Sequence, residues 1–275
     1  MIAHHRDCGP LRPFGGRLID GEGSVLRRAR MVCHCLLVET ERGLVLVDSG
    51  FAREDSDPSR TSLPKAFRAL MNPVLDPDTT AHAQVARLGY DPADVRHVVL
   101  THLDLDHAGG LRDFPEAKVH VHGPELRAAT TASGASGMRY RTRQWAHGPN
   151  WVSYDEPSGQ DWFGFQAVRD LDGLPEDLLL VPLGGHTTGH VGVAVNTGST
   201  WLLHAGDAFF SEGELAQPPH CPPALRAFQR SMAVDDEARL SNQSRLRELA
   251  LRTGEVDLVA AHDPVGFDRH VRASR

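Results

Sequence analysis

The chain is poor in lysine, in cysteine and in long apolar runs. Lys65 and Lys118 are the only lysines, so arginine carries nearly all the positive charge. That reads as GC-rich genome composition and carries no functional argument. No apolar run approaches the roughly 18–20 residues a membrane-crossing helix needs. The opening Met1-Ile2-Ala3-His4-His5-Arg6-Asp7 has no apolar core, so neither an export signal nor a membrane partner is expected. The four cysteines, Cys8, Cys33, Cys35 and Cys221, have no disulfide-framework spacing, which fits a reducing, cytoplasmic compartment. Positive charge in excess is also missing. A formal charge of -7 argues against nucleic acid as the main partner.

What is present is 275 residues with 40% hydrophobic and 24% charged content, enough for one large globular domain. Apolar, β-branched runs at 31–38, 44–47, 98–100, 118–122, 178–181, 191–195, 201–203 and 256–260 read as strands. Helices are expected near 65–71, over 79–88 with Thr79 or Thr80 as cap, from Pro124, and over 224–232 and 235–252. Residues 1–30, rich in Gly, Pro and Arg, read as an irregular arm and a hairpin. Strands alternating with helices place the helices on the outer faces of sheets. Cys33 and Cys35, two apart on a strand, should share a face and pack as small hydrophobes. Residues 130–177 have weak periodicity and hold Trp145, Trp151 and Trp162. Two readings stand there: a locally packed aromatic insertion, or a lid over a substrate pocket.

One stretch concentrates chemistry. Thr101-His102-Leu103-Asp104-Leu105-Asp106-His107-Ala108-Gly109-Gly110 sets four potential metal ligands within six residues. It leaves a buried strand, which holds ligands rigidly at its open end. Further donors follow other apolar runs: His186 in Gly185-His186-Thr187-Thr188-Gly189-His190, Asp207 in Ala205-Gly206-Asp207, and His262 in Ala261-His262-Asp263. Upstream, Leu44-Val45-Leu46-Val47 runs into Asp48-Ser49-Gly50.

This pattern resembles the metallo-β-lactamase superfamily signature His-x-His-x-Asp-His, with Asp104 where the second histidine usually stands. The resemblance runs from about Cys33 to His262. It implies an α/β fold, the four-layer αβ/βα sandwich, as a single domain over 1–275 with 130–177 inserted. It also implies two divalent ions. Residue by residue, His102, Asp104 and His186 would hold the first, Asp106, His107 and His262 the second, with Asp207 bridging. Asp48 would support the site from behind. His190 has no ligand position and would orient a neighbour by hydrogen bond, while His120 and His122 would be structural.

Histidine and carboxylate ligands with open positions suit catalytic zinc. The extra carboxylate at Asp104 adds negative charge and makes manganese or iron credible. The resemblance implies hydrolysis by water activated between the ions, with Asp106 and Asp207 as candidate catalytic carboxylates. The layout is most similar to the lactonase branch, so the expected substrate is a carboxylic ester or lactone, such as an acyl-homoserine lactone. That branch often carries a tyrosine three residues after the bridging aspartate; here the position is Phe210. Phosphodiester or thioester hydrolysis on the same fold, and a non-hydrolytic metal or redox role, remain alternatives.

Overall fold

The computed structural model describes residues 1–134, 139–155, 160–252 and 254–273. Its first sheet has six strands in spatial and chain order: β1 (Ile2–Asp7), β2 (His34–Thr40), β3 (Gly43–Val47), β4 (Val95–Val99), β5 (Lys118–His122) and β6 (Asn150–Tyr154). β1 to β3 pair antiparallel, and β3 to β6 pair parallel. A hairpin follows, β7 (Gln160–Trp162) with β8 (Phe165–Ala167). The second sheet contains β9 (Leu178–Pro182), β10 (Val191–Asn196), β11 (Trp201–His204) and β12 (Val256–Val259) in the order β12-β11-β10-β9. Among the described residues the α-helices are α1 (Arg17–Asp20), α2 (Lys65–Met71), α3 (Ala81–Arg87), α4 (Gly123–Thr131), α5 (Pro223–Met232), α6 (Asp236–Ala250) and α7 (Pro264–Ala273).

The period-two rule sorts the core into layers. Leu36 and Val38 of β2, with Val45 and Val47 of β3, meet Leu178, Leu180, Val191 and Val193 of the second sheet. The alternate residues, Cys35, Leu37, Leu44 and Leu46, pack in the opposite layer with Ala81 and Val85 of α3 and Ala129 of α4. In the second sheet, Leu179, Val181, Ala194 and Leu203 pack with Leu246 and Leu249 of α6. Two sheets whose strands are apolar on both faces therefore stack between two layers of helices, the four-layer αβ/βα sandwich.

Three elements differ from the sequence expectation. Residues 2–7 form an edge strand paired with β2 from Ile2↔Glu39 to Asp7↔His34. Edge pairing uses backbone groups and needs no apolar alternation, so an irregular arm was the wrong reading there. β6 extends the parallel sheet from within the weakly periodic segment. α7 follows His262 and packs Phe267 edge-on to His34, with ring centroids 5.0 Å apart.

The aromatics of 130–177 divide between two packed layers. Trp145 and Trp151 meet edge-on at 6.4 Å on the first outer layer. Trp162 packs against Trp201 at 5.6 Å in the second. These contacts give the tryptophans packing partners, while Arg139 of the same segment lines the cavity over the His/Asp cluster. Among the described residues, no helix is long and apolar enough to cross a membrane.

Candidate metal centre

The segments carrying the seven candidate ligands follow β4, β9, β11 and β12, and they converge. His102, Asp104, His107, His186, Asp207 and His262 are buried, and Asp106 is half-buried. Asp207 divides the cluster. Its Oδ1 lies 3.4 Å from both His107 Nε2 and His262 Nε2. Its Oδ2 lies 3.3 Å from His186 Nε2 and 3.8 Å from His102 Nε2. Asp106 stands on the first side, 3.5 Å from His262 Nε2. Asp104 stands on the other, 3.4 Å from His102 Nε2. One donor atom from each of His102, His186 and Asp207 falls within a mutual 4.8 Å, and likewise for His107, Asp207 and His262.

The protonation pattern of the histidines suits a cation. His107 Nδ1 donates to Asp48 Oδ2 at 2.8 Å. His262 Nδ1 donates to the Val32 carbonyl at 2.8 Å. The Thr101 hydroxyl donates to Asp48 at 2.8 Å, so it accepts from His102 Nδ1 at 2.9 Å. Each outer partner fixes the tautomer, leaving the Nε2 lone pair turned inward. His102 Nε2, His107 Nε2 and Asp207 Oδ1 are buried without a hydrogen-bond partner. Buried polar atoms are rarely left so, and three acceptors facing one another fit a divalent ion. Histidine nitrogens with carboxylate oxygens are a donor set for zinc and its neighbours.

The surroundings hold this charge in place. Burial would raise the Asp207 pKa, but His262, His107 and His186 outweigh it and keep the carboxylate well below its usual range. For Asp48, burial is likewise overcome, chiefly by His107, and the pKa is lowered. Asp48 adopts φ 54°, a left-handed conformation that Asp tolerates better than most residues. This lets one carboxylate accept from Thr101 N, Thr101 Oγ1 and His107. His190 takes the orienting part expected of it: its Nε2 accepts from the Asp207 amide at 2.9 Å. His120 and His122 bond to Tyr154 and the Gly189 carbonyl, in packing.

Three residues stand differently from the sequence reading, two of them unremarked there and one, Cys33, expected on the face of Cys35. Glu125, fully buried, accepts from Leu103 N and from Gly189 N, each at 3.0 Å. It ties the His102 loop to the His186 loop. A Cβ on Gly189 would collide with the Glu125 backbone, so glycine is required where the loops touch. Cys33 precedes β2, outside the alternation that governs Cys35. It packs in a different cluster from Cys35, with its sulfur within 4.8 Å of donor atoms of Asp106 and His262.

The third is Arg139. Its Nε donates to Asp104 Oδ1 at 2.5 Å, and a terminal nitrogen donates to Asp104 Oδ2 at 2.7 Å. The same terminal nitrogen lies 2.6 Å from His186 Nε2. Burial alone would raise the Asp104 pKa; the Arg139 guanidinium, then His102, reverse this and hold it well below the ordinary value. Asp104 thus faces His102 and His186, and it also carries an arginine.

A cavity of about 340 Å³ opens over the cluster. Asp104, Asp106, Asp207, His186, His262 and Arg139 line its polar end. Its walls are apolar, including Met31, Phe67, Leu70, Met71, Phe228 and Met232. Phe210 also lines it, with its ring 4.9 Å from that of His262.

The metallo-beta-lactamase superfamily model matches residues 28–251. A probable metallo-hydrolase of Mycobacterium tuberculosis is 43% identical over 264 residues, covering 95% of this chain and 80% of that protein. The N-acyl homoserine lactonase AttM of Rhizobium johnstonii is 32% identical over 205 residues, 73% of this chain and 70% of its own. A solved N-acyl homoserine lactone hydrolase, with N-hexanoyl-L-homoserine at its catalytic metal centre, superposes with a TM-score of 0.71. At 19% identity over 97% of this chain and 95% of that one, this last likeness is one of fold. The chain belongs to the metallo-beta-lactamase superfamily, as a metallo-hydrolase related to the N-acyl homoserine lactonases.

Proposed function

We infer that the chain hydrolyses a carboxylic ester or lactone bearing an apolar acyl group, with divalent ions held by the His/Asp cluster. His102, Asp104, His186 and Asp207 would hold the first ion; His107, His262, Asp106 and Asp207 would hold the second. Zinc is the foremost candidate, with manganese or iron as alternatives. Divalent ions in such a site acidify water toward neutral pH and polarise a carbonyl oxygen. The observation that carries the reading is the division of Asp207, one oxygen toward each histidine pair. Asp106 and Asp207 are the carboxylates that would touch the reacting centre. Asp48, His190 and Glu125 act through other residues, as positioning groups.

The cavity supports the substrate class. A pocket of this volume lies within the usual range for small-molecule sites. Its apolar wall matches an acyl chain, and its polar end matches an ester or lactone carbonyl. The N-acyl homoserine lactonase relatives favour the lactone form. The test is a panel of lactones, aryl esters, thioesters, phosphodiesters and β-lactams, run before and after chelation and after return of Zn²⁺ or Mn²⁺. Lactone or ester turnover that falls on chelation and returns with metal is expected. Turnover indifferent to chelation, or confined to thioesters or phosphodiesters, would overturn the reading.

A further inference from the structure

We propose that Arg139 is a built-in competitor for the first ion, so that the chain fills its two half-sites unequally: tightly at His107–His262, weakly at His102–His186. The proposal rests on the metallo-hydrolase reading and concerns how this chain's own residues receive the metal.

The two halves differ in what their donors already do. His102 Nε2 in the first half has no hydrogen-bond partner, so the difference lies in Asp104 and His186; on the His107–His262 side, His107 Nε2 and Asp207 Oδ1 have none either. Both outer nitrogens are committed to fixed acceptors, Asp48 and the Val32 carbonyl. That side is preorganised and free. On the other side, Arg139 takes both oxygens of Asp104 in a two-pronged contact, at 2.5 and 2.7 Å. It also lies 2.6 Å from His186 Nε2. Asp104 Oδ2 lies farther from the same nitrogen, at 3.1 Å; a guanidinium has donors and no acceptor, so the shorter Arg139 contact uses the His186 lone pair. An imidazole nitrogen has one lone pair; it binds a metal or accepts from Arg139, not both. His186 Nδ1 is buried without a partner, so no outer acceptor turns this ring toward an ion as Asp48 turns His107.

Arg139 is held by more than Asp104. Another terminal nitrogen donates to the Met232 carbonyl at 2.5 Å. Met232 ends α5, a ten-residue helix, whose C-terminal carbonyls favour a cation. The side chain is largely buried, at 12% exposure. An ion entering the first half must therefore displace a buried, multiply bonded guanidinium from Asp104 and His186. A fixed positive charge beside the first half also repels a divalent ion there. The Asp104 that stands in place of a histidine thereby has a partner suited to its charge. Arginine binds a carboxylate through two parallel N–H bonds, which a neutral imidazole could not accept.

The experiment is equilibrium dialysis of metal-stripped full-length chain against graded Zn²⁺, with protein-bound zinc read by elemental analysis. Wild type, Arg139→Ala and Arg139→Gln are compared. The expected result is one tight ion in the wild type and a second bound at least about tenfold more weakly. In both variants the second ion should tighten toward the first. Arg139→Gln keeps the side-chain volume and decides the matter if Arg139→Ala does not fold. If neither folds, the wild-type isotherm alone still reads one class of site or two. Two ions of equal affinity in the wild type overturn the inference and leave the metallo-hydrolase reading intact. A second ion no tighter in the variants also overturns it. No bound ion in any of the proteins overturns the underlying reading and the inference together.

Discussion

Asp48 accepts a hydrogen bond from His107, with 2.8 Å between Oδ2 and Nδ1. The pair joins the loop after β3 to the loop after β4, and it sets which imidazole nitrogen faces the cluster. Asp48→Asn keeps the shape and tolerates φ 54°, but removes the charge. Loss of such an outer partner typically costs about 10- to 100-fold in metal affinity. Zinc affinity at the tighter site of Asp48→Asn should fall within that range. Affinity equal to wild type would show that the carboxylate only fills space.

Glu125 clamps two ligand loops with one carboxylate, accepting from Leu103 N and Gly189 N. Glu125→Gln turns one acceptor into a donor, so one buried N–H faces another donor. An unsatisfied buried polar group costs about 1–3 kcal/mol. Urea unfolding should show a loss of that size, with the denaturant slope unchanged. Full stability in the variant would remove Glu125 as a clamp.

The apolar wall of the cavity should select for chain length. Each methylene removed from water contributes about 0.8 kcal/mol. For homologous acyl lactones, kcat/KM should therefore rise with chain length until the cavity is filled. Phe67→Ala removes part of that wall and should flatten the trend, chiefly through KM. Preference for short chains in the wild type would place the acyl group outside this cavity.

Histidines buried away from the centre set an acid limit. Burial, chiefly, lowers His5 and His120 to about 3 from an ordinary 6.5. Between those values the unfolded chain binds more protons than the folded one. Stability contributed by keeping them neutral is therefore complete above about 6.5 and is lost as pH falls toward 3. The urea midpoint should drop between pH 7 and pH 5. His120→Gln, which cannot take up the proton, should show a smaller drop. An identical pH slope would exclude His120 as a contributor.

Much of the centre was legible in the sequence because its information is short-range. His102, Asp104, Asp106 and His107 lie in one loop. His186, Asp207 and His262 each follow a run whose apolar pattern marks a buried strand end. Burial on both faces leaves a local signature, so the layers and the loops that carry donors could be read in advance. Weak signals failed where pairing is carried by the backbone, as in β1, or where periodicity fades, as in β6.

Arg139 and Glu125 could not be read that way. Arg139 lies 35 residues from Asp104 along the chain and 47 from His186. Glu125 holds Gly189 across 64 residues. An acid in the first turn of a helix reads as a partner for the helix dipole, and an arginine in an irregular segment reads as solvated. Both readings are local, whereas Coulomb attraction and hydrogen bonding act through space, whatever the separation in sequence. The sequence by itself determined which strand ends bear the clustered histidines and carboxylates. Only the stacking of two sheets decided which other charges face those donors, because packing sets the distances on which electrostatic pairing depends.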